Sequence, residues 1–242
     1  MSGRISFVGA GPGARDLLTL RAVERIRAAD VVLYDDLATS EALGLTKPGA
    51  ELVAVGKRAG KPSPKQAEVS RLLVEYALAG HHVVRLKAGD PTIFGRVDEE
   101  LQAARAAGVA FEIVPGVTTA TAAAAAAGVS LTKRGVARRV QFVTGHDLTG
   151  VLPEDIDMHA LADQNAMTCL FMGKATFPGL VARLLEAGLP PDTPALLSVG
   201  IDTPTFTQHR GTIRSIAAFL AATPPDGPGM ILFGKALDQD AS

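Results

Sequence analysis

Gly9, Gly11 and Ala14 stand in VGAGPGA with the spacing of a dinucleotide-binding turn, directly after the apolar run ISFV. Asp35 and Asp36 follow roughly 20 residues later, where such a fold places its ribose-binding acid. The chemistry on offer is a pyrophosphate cradle, made from the free N–H groups of a helix that starts at once after the glycines. Pro12 removes one of those N–H groups. The stretch GARDLL then breaks helical patterning, and apolar periodicity resumes only with Leu20, Val23 and Ile26. A Gly-Pro-Gly loop followed by so late a helix suits close backbone approach to a bulky ligand without a phosphate there.

The polar residues of the first half cluster in the same way. The apolar runs are ISFVG, DVVLYDD, ELVAVG, HHVVRLKAGD and FEIVPG. Asp35 closes the second, Lys57 follows the third, Gly89 and Asp90 the fourth, and Gly116 to Thr119 the fifth. In open α/β sheets the ligand crevice lies at the carboxyl ends of the strands, so these loops are expected to converge on one site. Loops are polar and glycine-rich for structural reasons too, and the joint pattern is what favours a site. Metal chemistry finds no support. The single cysteine, Cys169 in MTCLFM, reads as packing in a buried strand. His81 and His82 begin a strand, His159 and His209 have no companion, and no metal-ligand spacing occurs. His146 ends a strand in VTGH near the crevice.

The elements that must hold these loops alternate in type. SPKQAEVSRLLVEYALAG predicts a helix with Ser63 as N-cap, Pro64 in the first position, Gln66 completing a capping box, and Gly80 as the stop. DEELQAARAAG predicts another, ending at Gly108. Strands alternating with helices predict an α/β layer with a largely parallel sheet. Thr118 or Thr119 caps an alanine-rich helix that ends at Gly128. A second series of strands follows in VQFVTG, MTCLFMG, PALLSVGI, FTQHRG and GMILFGKAL, with the helices FPGLVARLLEAG and TIRSIAAFLAAT between them. The fold class is therefore α/β, with two α/β domains meeting at Pro115-Gly116, residues 1–115 and 116–242. The second half could instead extend the first sheet.

With 242 residues and 47% of them apolar, the chain can bury a substantial core. A net charge of −1 argues against a general nucleic-acid binder and a polybasic membrane anchor. No apolar run is long enough to cross a bilayer, and the start MSGRISFVGAG lacks the apolar core of a signal peptide. A soluble cytoplasmic protein is expected, with no nucleic-acid or membrane partner.

GAGPG, DLLTL, ADVVLYDDL, VGKRAG, RLKAGDPTIFGR, VPGVTTATAAAAAAGVSLTKR, VTGH and MG occur in that order. Together they resemble the tetrapyrrole methyltransferases that use S-adenosylmethionine, over nearly the whole chain. YD-x-L, VGKRAG and GDP-x-x-FGR are most similar to the branch acting on uroporphyrinogen III. No dehydrogenase or ferrochelatase module precedes, unlike the fused sirohaem synthases.

The resemblance implies two α/β domains with S-adenosylmethionine in a cleft between them and S-adenosylhomocysteine as product. The first domain takes the substrate side and the second completes the cofactor site. It implies a homodimer, and two methylations of uroporphyrinogen III to precorrin-2 for sirohaem, cobalamin or haem d1 synthesis. Carried over by position, the cofactor contacts are Pro12, Ala88, Gly89, Asp90, Ile93, Thr118, Thr119, Met172, and Ile201 with the adjacent Gly200. Asp35 matches the proton acceptor and Lys57 the proton donor. Asp90 and loop carbonyls suit a sulfonium cation. Of the basic residues that could meet the substrate's carboxylates, Arg96 stands foremost because it follows the GDP loop, with Lys133, Arg134 and His146 beside it. Lys57-Arg58 and Arg138-Arg139 are further candidates.

Four departures from the family pattern bear on the substrate: Ala88 in KAGDP, Thr92 after GDP, Val97-Asp98 in FGRVDEE, and Lys133 in LTKR. They keep open a later corrin-ring methyltransferase of the same fold. An NAD-dependent oxidoreductase and a non-catalytic tetrapyrrole-binding protein are the alternatives of other classes.

Overall fold

The computed structural model describes residues 3–36, 40–56, 66–147 and 150–238. The chain divides into two compact units, Met1–Thr118 and Thr119–Ser242. The division falls just after Pro115-Gly116 because residues 115–118 stay with the first unit: the Gly116 N–H donates to Asp90 Oδ2 at 3.0 Å.

In the first unit, β1 (Arg4–Gly9), β2 (Val31–Tyr34), β3 (Glu51–Ala54), β4 (His82–Lys87) and β5 (Ala110–Val114) form one sheet in the order β3-β2-β4-β1-β5. Every pairing is parallel, as expected. Parallel neighbours need crossover connections. These contain α1 (Leu20–Ala28), α2 (Ser40–Leu43), α3 (Gln66–Leu78) and α4 (Val97–Ala106). Alternate residues of each strand serve opposite faces. Ile5, Phe7, Leu33 and Val83 pack with Val69 and Leu73 of α3 and Leu101 of α4. Val8, Val32, Val84, Leu86 and Val114 pack with Ala22 and Ile26 of α1. Both faces are covered, so the strands read as continuous apolar runs rather than alternating ones.

The helix boundaries follow local chemistry. Thr19 caps α1 by accepting from the Ala22 N–H at 3.1 Å. A short 3-10 turn at Arg15–Leu17 precedes it. Leu20, expected on the apolar stripe, is exposed; Ala22 and Ile26 form the buried face. α4 starts at Val97, one residue earlier than DEEL predicts, because Val97 packs into the core. Ser63 and Pro64, expected to open α3, lie outside the described residues, as does Lys57.

The second unit has its own sheet and does not extend the first. β6 (Arg139–Thr144), β7 (Ala166–Phe171), β8 (Pro194–Val199), β9 (Thr207–Thr212) and β10 (Gly229–Phe233) run in the order β6-β7-β10-β8-β9. β6 and β7 are parallel, and the other pairings are antiparallel. α5 (Thr119–Ala127), α6 (Met158–Leu161), α7 (Phe177–Glu186) and α8 (Ile213–Ala222) complete it. Its core joins Leu170, Leu197, Ile231 and Phe233 of the sheet to Phe177, Leu180 and Leu184 of α7 and Ile213 and Ile216 of α8. Cys169 is fully buried in β7, and burial pushes its thiol up to about 12, so at neutral pH it packs as a small apolar residue.

At the amino-terminal end of the first sheet, Arg25 of α1 forks onto Glu112 of β5 at 2.5 and 3.2 Å. Ser6 of β1 also donates to Glu112, at 2.9 Å. The bond from Arg25 comes first among the influences that lower the Glu112 pKa below its ordinary 4.5. A depressed carboxylate stabilises the fold above its unfolded pKa and loses that contribution as pH falls through the folded one. Glu112→Gln keeps an acceptor for Ser6 and loses the charge. It should cost about 1 kcal/mol at pH 7, after solvent screening of a partly exposed pair. Urea unfolding at several pH values should show the gap between parent and variant closing below about pH 4.

Candidate active site

The candidate site in the first unit is built of backbone on backbone. A Cβ on Gly9 would lie 2.6 Å from both the Gly116 nitrogen and the Gly89 carbonyl oxygen. A Cβ on Gly116 would run into the same Gly89 oxygen. The loops after β1, β4 and β5 therefore touch because these three positions have no side chain. Hydrogen bonds complete the join. Gly11 N–H donates to Gly89 O at 3.2 Å, and Gly89 N–H to Gly11 O at 2.7 Å. Gly11 and Gly89 hold positive φ values of 69° and 65°, which glycine adopts without strain.

That two-way bridge decides what VGAGPG does. The Ala10 N–H donates to Lys87 O, and those of Gly11 and Gly89 are committed to each other. α1 starts at Leu20, well past the glycines. The Ala10, Gly11 and Gly89 donors are spent, and only the three-residue 3-10 turn Arg15–Leu17 stands between the glycines and α1, so the turn lacks the α-helix N-terminus on which a pyrophosphate cradle is built. The Gly-Pro-Gly segment presents a neutral, close-packed backbone surface, with Pro12 half-buried on it.

Asp90 ties the same loops. Its Oδ1 accepts from the Thr92 N–H at 2.8 Å and the Thr92 hydroxyl at 2.5 Å, and its Oδ2 accepts from Gly116. Both oxygens of this expected cofactor contact thus carry loop hydrogen bonds. Arg96 is half-exposed and forks onto Glu99 at 2.7 and 2.9 Å. A substrate carboxylate meeting that guanidinium would have to share or replace Glu99. Phe94 and Arg96 have φ values of 50° and 52°, conformations that cost side-chain-bearing residues energy.

Asp35 leaves the end of β2 part-exposed and receives Arg85 Nη2 on Oδ1 at 2.7 Å. Its rival Asp36 is exposed and lies against Gly56, where a Cβ would collide with the Asp36 carboxylate. Arg85, Lys87 and Glu100 form a buried charged cluster beneath Asp35. Arg85 Nε lies 3.0 Å from Glu100 Oε1, and Lys87 Nζ lies 3.1 Å from each Glu100 oxygen. Burial, followed by the nearby Arg85 charge, lowers the Lys87 pKa. Burial also opposes the Arg85 charge, but Glu100 and Asp35 outweigh it and raise the Arg85 pKa. Sequence reasoning missed these three residues. The available signal was a pair of basic residues two apart inside the apolar strand HHVVRLK, which only a buried acid can satisfy.

In the second unit the expected contacts sit on the strand ends. Met172 follows β7, 44% exposed with a φ of 54°. Gly200 follows β8 with a φ of 62°, and Ile201 beside it is buried. Gly145 of VTGH packs on Gly173, where a Cβ would collide, and its carbonyl accepts from the Thr176 hydroxyl at 2.6 Å. Strained and close-packed backbone thus gathers at strand ends in this unit too. His146 Nδ1 lies 3.0 Å from Asp147 O. Lys133 donates to Asp238 O at 3.1 Å, while Arg134 is exposed. Arg139 binds Asp163 and the carbonyl of Ala160, and its role there is structural. Thr119 opens α5, directly after Thr118. Ala88 and Ile93 are half-buried within the loop that carries Gly89 and Asp90.

A parallel first sheet with glycine-fused loops at its carboxyl edge is joined in sequence to a mixed second sheet. Residues 4–217 match the family of Tetrapyrrole (Corrin/Porphyrin) Methylases, and the chain belongs to it. The chain is 43% identical to a siroheme synthase of Tolumonas auensis, with 96% of this chain and 49% of that protein covered. It spans about half the length of that relative. It is 39% identical to a uroporphyrinogen-III C-methyltransferase of a Sinorhizobium species, covering 96% of this chain and 83% of that one. Among solved structures, the cobalt precorrin-4 methyltransferase CbiF aligns with a TM-score of 0.86 at 31% identity, over 97% of this chain and 96% of that one. The Thermus thermophilus uroporphyrin-III C-methyltransferase complexed with S-adenosylhomocysteine aligns with a TM-score of 0.83 at 36% identity, over 97% and 98%.

The glycine contacts generate a direct test. Gly9→Ala should destabilise the first unit by about 1–3 kcal/mol, the range for overpacking a close-packed position. Gly179 in α7 has open space around its Cβ position, so Gly179→Ala should be neutral or stabilising by up to about 1 kcal/mol. Urea denaturation of both variants checks the opposite signs.

Proposed function

We propose that the chain transfers methyl groups from S-adenosylmethionine to two carbons of uroporphyrinogen III, forming precorrin-2. The observation that carries the reading is the Gly11–Gly89 bridge. It commits the Gly11 and Gly89 N–H groups to each other and leaves a neutral backbone surface after β1. A sulfonium cofactor fits such a surface, since the nearest buried cations, Arg85 and Lys87, are paired with Glu100 below it. The relatives that methylate uroporphyrinogen III, and the neighbour holding S-adenosylhomocysteine, support the donor and the acceptor.

When bound, S-adenosylmethionine supplies an electrophilic methyl group. Pro12, Ala88, Gly89, Ile93, Thr118 and Thr119 would hold it on the first unit's loops, with Met172, Gly200 and Ile201 from the second. Asp90 keeps the loops after β4 and β5 in register. The acceptor is an electron-rich pyrrole carbon, so alignment contributes more than activation of a nucleophile. The methylated macrocycle must then lose a proton, and Asp35 accepts it at the carboxylate. Lys57 is its proposed counterpart as donor. Arg96, Lys133, Arg134 and His146 are proposed to meet the substrate's carboxylates.

The alignment to CbiF favours one second reading, methylation of a later corrin intermediate. Anaerobic incubation with S-adenosylmethionine and each tetrapyrrole separates the two by product mass and absorption. Uroporphyrinogen III should gain two methyl groups; methylation of a precorrin alone would establish the second reading. Asp35→Asn should keep S-adenosylmethionine affinity by calorimetry and lose about 10² to 10⁴ in turnover, the scale of a lost general base. Loss of cofactor affinity with turnover intact at saturation would remove Asp35 from proton transfer.

The reading includes a cytoplasmic homodimer, on family resemblance. Sedimentation at micromolar protein should give about twice the 25.0 kDa chain mass, and a uniform monomer would refute the dimer.

A further inference from the structure

The face of β4 turned towards α3 and α4 carries charge where the core is otherwise apolar. Along it run Val83, Arg85 and Lys87, alternate residues of the strand. The Arg85 and Lys87 side chains are 4% and 5% exposed, and that of Glu100 is 0%. Gln66 of α3 donates to Glu100 Oε1 at 2.9 Å, and Arg85 Nη1 donates to Leu86 O at 3.1 Å. The fold places two cations here against one buried carboxylate. Asp35 is the second anion, and it alone of the four reaches solvent, with a side chain 35% exposed.

The geometry of Arg85 links the buried part to the exposed part. A guanidinium is planar and presents its N–H groups in a fixed fork, so setting one edge sets the other. Nε is held on Glu100 and Nη2 reaches Asp35 Oδ1. Among the described residues, Oδ2 of Asp35 takes no hydrogen bond. An isolated aspartate at a strand end rotates about its side-chain bonds. Here one oxygen is pinned from below and the other stays available.

We infer that Arg85 and Glu100 are positioning residues for Asp35, with Glu100 orienting the Arg85 fork and the fork aiming the free carboxylate oxygen at the reacting macrocycle. This rests on the reading of Asp35 as proton acceptor. Burial and the neighbouring Arg85 charge lower the Lys87 pKa, so the buried ammonium leans on its two contacts to Glu100 at 3.1 Å. A cluster with no task would be replaceable by apolar residues at little or no cost, because burying charges opposes folding.

The test is a double-mutant cycle on the full chain, with single-turnover methylation of uroporphyrinogen III, KM for the tetrapyrrole, calorimetry with S-adenosylmethionine, and thermal melting. Arg85→Lys keeps the charge and loses the fork. Glu100→Gln keeps an acceptor for Arg85 Nε and loses the charge. Each should lower the methylation rate about 10- to 100-fold, the scale for a misplaced catalytic group. KM and cofactor affinity should stay within about threefold. Added to Asp35→Asn, either variant should cost less than about threefold more, because its effect runs through Asp35. If Asp35→Asn is slow while both folded variants keep the parent rate, the positioning role is wrong and the Asp35 reading stands. If Asp35→Asn itself keeps the parent rate, the Asp35 reading fails and the inference with it. Fully additive losses, or loss of the fold in both variants, would also overturn the inference, leaving the pair a folding element.

Discussion

The direct contact of Gly9, Gly89 and Gly116 is the constraint on which the first unit's working edge depends. Three loops that follow three different strands meet with no side chain between them. A single methyl group at Gly9 or Gly116 would push the loops after β1, β4 and β5 apart. Because the contact is backbone on backbone, the N–H and C=O groups of the first glycine loop pair with the loop after β4. The resulting surface is neutral and pre-formed. Pre-formed loops lower the ordering cost for any ligand bound on them.

Strain gathers in the loops that follow strands in each unit. Phe94 and Arg96 after β4, Met172 after β7 and Asp202 after β8 are the side-chain-bearing described residues with positive φ. Each such conformation costs on the order of 1–3 kcal/mol and persists only when its surroundings over-determine it. In the first unit the surroundings are known: Val97 is buried immediately after Arg96, and Asp90 cross-links the start of the same loop. In FGRVDEE the Val97 side chain anchors the first turn of α4 in the core.

The buried charges answer a different requirement. Lys87 and Arg85 lie on a face whose other members are Ile5, Phe7, Leu33 and Val83. Charges there oppose folding unless each is paired, and Glu100 supplies only part of the balance. Asp35 supplies the rest from the surface. The ion pair to Arg85 couples the part-exposed Asp35 carboxylate to that buried network.

The order of elements in both halves was readable because hydrophobic periodicity is local, and so was the late start of α1, which Pro12 and GARDLL announce within a few residues. The family was readable from motifs whose spacing survives in one dimension. Val97 as the first residue of α4, the exposure of Leu20 and the closing of Arg96 on Glu99 were not, since each depends on which neighbour packing brings close. The separate second sheet was open in the sequence, because an apolar run does not encode whether its partner is parallel or antiparallel. Least readable of all was the Arg85–Glu100–Asp35 cluster. Its members lie on β4, α4 and the end of β2, and their charges alone look like ordinary surface residues. Only the tertiary structure buries Arg85 and Glu100 together and brings Asp35 to their edge, and it is burial, by stripping away water, that turns separate charges into one network.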